Sequence, residues 1–568
     1  MHRLVIIALV SLLTGQAVAQ HYTLGDTLTV IQRPLLNIPS IVRPGDPLPI
    51  SCEADPATTG WSASLRRGDL EVPLAIDSAS YDPTTLWWTL SVTTPPVPVF
   101  DLYDLQVSAD GLDDTTRDAV KVFPEFRTDF EVIHITDTHL PTYLYHDQNG
   151  ADTDSTTSVN LRAITQDINL INPEFVLLTG DLVHEGELED YLGKRYYSRA
   201  QMHINEFDVP VYLTGGNHDL GGWNDTPPPA GTARRDWWRF FGWRRLADPP
   251  PGAPEYTQNY SFDYGDIHFS GLESYDNYDS WRYYIYGAES FTSGQFDWLE
   301  ADLAGAPGSL RHVLFHHFDF QEELNLANLG IDLSLSGHTH RNQEDSTYPK
   351  DVLTDNASGI NRPFRLVRFE GSDIDVRPTL SAQYDGRLRV AYEPANDGTH
   401  EVVTAEIVNG HSEAFHHALL RIAMPAAGNY MVDGGTLTQV DATGDPVICY
   451  VEVDLAAHRT VEVTIEADNV VNGVPDAVGR QLSVVPNPFN PQTTVAFELD
   501  EPTMCRLTVF DLRGRTLDVL MEGLRSAGRH EVSWNGTDAR GKALPSGTYL
   551  LGLRAGSYSE TRKVQLVR

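Results

Sequence analysis

Phe130-Glu-Val-Ile-His-Ile135, Phe175-Val-Leu-Leu-Thr179 and Val211-Tyr-Leu213 are short, nearly continuous apolar runs, the pattern of strands buried on both faces. Between them, apolar positions recur at helical spacing over about 160–171 and about 187–205. The same alternation continues through Tyr260–Phe262, Ile267–Phe269, a helical stretch at about 296–303, His312–Phe315 and Leu333–Leu335. Each of several runs ends in polar residues. Strands alternating with helices predict a layered α/β domain over 127–375, with its site at the carboxyl ends of the strands.

The flanks carry a different pattern. Residues 20–126 hold short alternating runs such as Leu48–Cys52, Leu86–Leu90 and Tyr103–Val107, separated by Pro, Gly and Asp clusters; this predicts an immunoglobulin-like β-sandwich. Residues 376–470 are again strand-rich, with Leu388–Tyr392, His400–Val403 and Thr460–Thr464, and predict a second sandwich. Residues 471–481 read as a linker and 482–568 as a separate β unit. The fold class is therefore a multidomain chain, a central α/β domain flanked by all-β immunoglobulin-like domains. Residues 1–19 pair a polar start at His2 and Arg3 with an apolar run to Leu13 and a small-x-small Ala17-Val18-Ala19, the pattern of a secretory signal peptide. That run is shorter than the roughly 20 residues a membrane-spanning helix needs.

Composition narrows the function classes. At 568 residues, 41% apolar and 21% charged, the chain fits several folded domains and not disorder. Its formal net charge of −38 argues against general binding to nucleic acid or anionic membranes, which need basic faces, and would concentrate divalent cations. Cys52, Cys449 and Cys505 are far apart and form neither a disulfide framework nor a zinc-knuckle spacing.

The chemistry lies at the predicted strand ends. Asp137-x-His139, Gly180-Asp181, Gly216-Asn217-His218-Asp219, His316 and Gly337-His338-x-His340 follow one another in that order. They supply carboxylates, an amide and imidazoles, a mixed set that suits zinc, manganese or iron better than calcium. Holding two ions about 3.5–4 Å apart requires a bridging carboxylate, for which Asp181, after the tight turn at Gly180, is the candidate.

This ordered set resembles the calcineurin-like metallophosphoesterase family, whose pattern is D-x-H, G-D, G-N-H-[DE], H, G-H-x-H; the resemblance covers roughly residues 130–370. It implies a phosphohydrolase that cleaves phosphomonoesters or phosphodiesters of small molecules or polymers by a hydroxide that two divalent or trivalent metal ions activate. It implies further that Asp137, His139, Asp181 and His340 hold one ion and Asp181, Asn217, His316 and His338 the other. His316 is preferred to His317 because it directly follows the strand, as in the family. His218 and Asp219 are then the catalytic residues, His218 as the histidine beside the leaving group and Asp219 by orienting a neighbour or packing the loop. Two departures stand out. Gly215 replaces a common proline, and His184 stands three after Asp181, where purple acid phosphatases carry a ligand tyrosine, so this is not a purple acid phosphatase in the strict sense.

Arg234, Arg235, Arg239, Arg244 and Arg245 interleave with Trp237, Trp238, Phe240, Phe241 and Trp243. This reads as an amphipathic helix with arginines covering an aromatic packing face, in preference to a substrate lip. At the C-terminus, Pro486–Pro491, Val509–Arg515, Gly528–Trp534 and Ser546–Tyr549 resemble the immunoglobulin-like domains shared by type IX secretion sorting signals and the flagellar hook-capping protein. With the N-terminal segment, that implies an exported bacterial protein, secreted or held at the cell surface, whose C-terminal domain engages the export machinery. The rival from another class is an extracellular binding or adhesion protein with a vestigial or accessory phosphoesterase domain; complete retention of the ligand set speaks for the enzyme.

Overall fold

The computed structural model describes residues 30–567 with interruptions, the longer of which are 141–155, 185–195, 221–236, 243–257, 275–289 and 469–481. The N-terminal segment expected to be a signal peptide, and most of the Arg/Trp stretch at 234–245, lie outside the described residues. The chain divides into two compact units, Met1–Asn469 and Val470–Arg568.

The first unit opens with a β-sandwich. One sheet pairs Ile31–Arg33, Pro47–Glu53, Trp87–Thr93 and Ile76–Asp82; the other pairs Ser40–Val42, Leu112–Val122, Leu102–Ala109, Ser62–Arg67 and Leu70–Leu74. Alternation along these strands sends Ile50, Cys52, Leu65, Leu90 and Leu105 into one core.

In the central domain two mixed sheets lie face to face. The first runs Val211–Thr214, Phe175–Thr179, Asp129–Ile135, Pro363–Glu370, Asp373–Val376, with its first three strands parallel. The second runs Asn259–Tyr264, Ile267–Leu272, Arg311–His316, Leu333–Ser336, Lys350–Leu353, Gln343–Glu344. Phe130, Val132, Phe175 and Leu177 from one sheet meet Phe269, Val313, Phe315 and Leu335 from the other. Burial of a residue such as Phe175, 0% exposed, contributes about 1.5–3 kcal/mol. The outer faces are covered by helices. Leu161, Ile164 and Ile168, on one face of the helix Thr156–Ile171, pack on Ile133, Ile135, Val176 and Leu178. The helix Ser293–Gly305 packs Leu299 on Leu272 and Leu314. It starts in a capping box, with Thr292 and Gln295 exchanging side-chain and backbone bonds. Both strands and helices therefore follow the expected layering, although the second helix is described only over Tyr196–Ile204, since 185–195 lie outside the described residues.

A second β-sandwich completes the unit, with sheets Leu388–Glu393, Val402–Asn409, Arg459–Asp468, Asn429–Asp433 and Phe415–Met424, Val447–Leu455, Thr436–Asp441. Its Phe415, Ala418 and Leu420 share a core with the helix Thr156–Ile171. Polar ties add direction to that packing: Arg127 reaches both Glu174 (2.9 Å) and Glu452 (2.8 Å), and Arg67 reaches Asp101 (3.1 Å) and Asp441.

The second unit is a smaller sandwich. Its sheets are Ser483–Val485, Thr493–Leu499, Gly528–Trp534 and Thr516–Arg525, Thr503–Phe510, Gly547–Ala555, Tyr558–Leu566. Phe489, Phe497, Leu507, Trp534 and Leu551 form its core. The three cysteines are buried, one in each β-sandwich.

One buried histidine ties a strand of the second sheet to its covering helix. His268 Nδ1 donates to Asp263 Oδ1 (2.7 Å) and Nε2 to Asp302 Oδ2 (3.0 Å). Burial alone would lower this imidazole, but the two carboxylates raise it to about 9. An unfolded histidine titrates near about 6.5. The contribution of His268 to stability is thus complete below that pH and lost as pH rises through about 9. Urea unfolding at pH 6 and pH 9.5 should show a larger fall in stability for the native chain than for His268→Gln; equal falls would contradict the assignment.

Candidate metal centre

The strand ends of the two sheets meet at one edge, and the backbone there leaves the extended conformation. Asp137, His139, Asp181, His338 and His340 all have positive φ, between 40° and 65°. A non-glycine residue in this region costs roughly 1–2 kcal/mol, so five such residues around one point mark a built site. Two glycines make room for them. A Cβ on Gly337 would collide with Thr136 Oγ1 and stand 2.5 Å from Asp137 Oδ2. A Cβ on Gly216 would stand 2.5 Å from Asp181 N and Oδ1.

Two groups of donor atoms converge. In the first, His340 Nε2 and His139 Nε2 lie 3.3 and 3.6 Å from Asp137 Oδ1, and 3.2 Å from each other. In the second, His317 Nε2 lies 3.0 Å from Asn217 Oδ1, 3.2 Å from His338 Nδ1 and 3.3 Å from Asp181 Oδ2. The same Asp181 oxygen is 3.8 Å from His139 Nε2, so this carboxylate stands between the groups.

Neighbouring residues aim these atoms. Asp137 Oδ2 accepts from Thr136 Oγ1 (2.8 Å) and from the His338 N–H (2.8 Å), which leaves Oδ1 facing the two imidazoles. Asp137 Oδ1 is buried and takes no well-formed hydrogen bond. His317 Nδ1 donates to Thr179 O (2.8 Å), which fixes the tautomer and turns the Nε2 lone pair inward. The His218 N–H donates to Asp181 Oδ1 (2.9 Å).

The electrostatics agree with a cationic occupant. Asp137 and Asp181 are 0% and 1% exposed, and burying two carboxylates is costly unless positive charge meets them. Burial would raise the Asp137 carboxyl, but the His139 and His340 imidazoles beside it hold it well below the ordinary range. Burial would likewise lower His317, yet Asp181 and Asp137 lift it to about 9, so that without an ion a proton on Nε2 supplies the positive charge, and a bound cation would displace it to free the lone pair. An unpartnered buried carboxylate oxygen and imidazole, amide and carboxylate donors that all point at one another fit metal ions of the zinc, manganese or iron kind.

The structure brings together Asp137, His139, Asp181, Asn217, His338 and His340 among the expected ligands. His316 is a correction. Side chains alternate along Arg311–His316: Val313 and Phe315 face between the sheets, whereas Leu314 faces the helix layer. His316 follows Leu314. Its Nε2 meets Ser334 Oγ (3.2 Å), its ring lies edge-on to Phe291, and burial lowers its pKa to about 4. His317 follows Phe315 into the site. Reading the period of two one residue further would have found it.

His218 stands beside the first group, its ring 5.0 Å from that of His139. Its Nδ1 donates to the carbonyl of His184 (2.5 Å). Asp219 is not placed to touch a reactant. Its Oδ1 accepts from Val183 N and its Oδ2 from Gly216 N, both at 2.9 Å, so it clamps the Asn217 loop to the Asp181 loop. Burial and the nearby charge of Asp181 push its carboxyl up to about 8. The catalytic role expected for Asp219 narrows to positioning. Sequence reading did not single out Thr136 and Thr179, which aim Asp137 and His317; a threonine beside a strand end carries no signal of its own. Within the Arg/Trp stretch, Trp237 and Phe241 are buried against Tyr197, which is the packing face expected of them.

Residues 130–342 match the family model described as calcineurin-like phosphoesterase. This segment is a metallophosphoesterase domain. Residues 484–558 match the model described as FlgD Ig-like domain. A curated relative, a probable cyclic nucleotide phosphodiesterase of Vesicomyosocius okutanii subsp. Calyptogena okutanii, is 29% identical over 90 residues, 16% of this chain and 34% of its own. The chain thus spans about a third of the length of that relative. Among solved structures, a dimetal phosphatase from Danio rerio is 14% identical, covering 45% of this chain and 99% of its own, with a TM-score of 0.32. A purple acid phosphatase from yellow lupin (Lupinus luteus) seeds is 13% identical, covering 60% and 72%, with a TM-score of 0.34.

The close approach at Gly337 in the phosphoesterase domain is open to a direct check. Gly337→Ala should weaken manganese binding by about 10–100-fold, the usual cost of disturbing groups that orient ligands. Gly305→Ala, where an added Cβ meets nothing within 4 Å, should bind as the native chain does. Equilibrium dialysis with manganese distinguishes them, and equal affinities for the two variants would refute the crowding argument.

Proposed function

We propose that the chain is an exported, metal-dependent phosphohydrolase that cleaves phosphomonoester or phosphodiester bonds at a two-ion centre. The observation that carries this reading is the pair of donor groups sharing the buried Asp181 carboxylate. Asp137, His139, Asp181 and His340 would hold one ion, and Asp181, Asn217, His317 and His338 the other. When bound, such ions supply Lewis acidity: they lower the pKa of water and neutralise charge on the phosphoryl oxygens.

The chain's own residues do the rest. Asp181 fixes the spacing of the two groups. Asp219 and the His218 N–H hold the two loops in register. His218 has Nδ1 tied to the His184 carbonyl, so its Nε2 is the nitrogen that carries or gives up a proton. It is positioned to protonate the departing ester oxygen, a role typically worth about 10²–10⁴ in rate. Export is supported by the N-terminal apolar segment with its small-x-small site and by the C-terminal immunoglobulin-like unit.

The assay is hydrolysis of para-nitrophenyl phosphate and its bis-ester with added manganese or zinc. Asp181→Asn should abolish metal-dependent turnover. His218→Ala should keep its metal and lose about 10²–10⁴ in kcat. Full turnover by Asp181→Asn at normal metal content would overturn the two-ion reading, and a His218→Ala variant with native kcat would remove His218 from the mechanism.

A further inference from the structure

His184 is not among the ligands, and the family pattern gives it no role, yet it touches the site through three separate contacts. Its carbonyl accepts from His218 Nδ1 at 2.5 Å. Its ring lies over the His218 ring, with centroids 5.0 Å apart and planes at 21°. Its ring also meets the edge of His139, at 5.4 Å and 71°. Nitrogens of His139, His184 and His218 all lie within 4.8 Å of one another.

We propose that His184 is a positioning residue for proton transfer, acting through His218; this rests on the phosphohydrolase reading above. An imidazole on two single bonds has two motions to suppress. The carbonyl of His184 holds Nδ1 and so limits rotation within the ring plane. The stacked ring blocks tilting out of that plane. Together they hold the His218 ring, and with it Nε2, in one orientation beside the His139 ring. Sub-ångström aim of this kind matters for a general acid, whose proton moves only across hydrogen-bonding distance. One residue supplies both restraints because it lies on the segment that follows Asp181, so the bridging carboxylate and the proton donor are placed by the same stretch of chain. The carbonyl survives any side-chain replacement, which makes the stacking contribution separable.

The experiment uses the full chain loaded with manganese and two diesters that differ in their need for an acid, bis(para-nitrophenyl) phosphate and diphenyl phosphate. His184→Ala should lower kcat on diphenyl phosphate by about tenfold, part of the range general acids supply. On the nitrophenyl ester, whose leaving group needs little help, the loss should stay under about threefold. KM and metal content should be unchanged, and His184→Phe, which restores a stacked ring, should recover most of the lost rate. In metal-free protein labelled with ¹⁵N-histidine, the His218 ring should keep its Nδ1–H tautomer in both variants, because the carbonyl remains, while its ring ¹⁵N signals should show added motion by relaxation in His184→Ala and lose it again in His184→Phe. Equal losses on the two esters, loss of metal, or an unaltered His218 signal would overturn the proposal. A native chain that binds metal and cleaves neither ester, with the histidine signals behaving as described, would instead overturn the phosphohydrolase reading and leave the positioning contact standing.

Discussion

The centre of this molecule is a set of lone pairs forced together out of water. His317 Nε2 has an amide oxygen, an imidazole nitrogen and a carboxylate oxygen within 3.3 Å, and Asp137 Oδ1 faces two imidazole nitrogens. Like partial charges at such distances repel unless positive charge lies among them. Much of the surrounding structure acts to keep them there. Five of the donor residues accept left-handed backbone, Gly337 and Gly216 leave no side chain where one would collide, and Thr136, Thr179 and Asp219 spend their hydrogen bonds on aim.

That strain needs a rigid support, and the stacked sheets provide it. Five strands, Asp129–Ile135, Phe175–Thr179, Val211–Thr214, Arg311–His316 and Leu333–Ser336, point their carboxyl ends at one edge of an aromatic-rich core. The ligands therefore hang from the stiffest elements of the domain and not from free loops. The flanking second sandwich packs Phe415, Ala418 and Leu420 into the same core as the outer helix Thr156–Ile171, which the central sheet supports through Leu161, Ile164 and Ile168. Asn160 on that helix bonds the carbonyl of Ser358, whose N–H in turn donates to the carbonyl of Asp137. Packing far from the donor groups thus reaches the loops that carry them through ordinary hydrogen bonds.

Much of this was legible in the sequence because the signals were local. Short apolar runs ending in Asp, Asn or His gave both the strands and the place of the site. What failed was a question of face. His316 and His317 are adjacent, and only the alternation set by Val313 and Phe315 distinguishes the one that points between the sheets. Asp219 looked chemical because it belongs to a motif, yet backbone N–H groups take both of its oxygens. The significance of His184 was illegible for a different reason. Its ring meets those of His218 and His139, 34 and 45 residues away, and no sequence period connects them.

Metal stoichiometry tests the account most directly. Full-length native protein, His316→Ala and His317→Ala should each be loaded with manganese or zinc, desalted and analysed for metal per chain. The account predicts two ions in the native chain, two in His316→Ala and fewer than two in His317→Ala. One ion or none in the native chain, or loss from His316→Ala with full retention in His317→Ala, would contradict it.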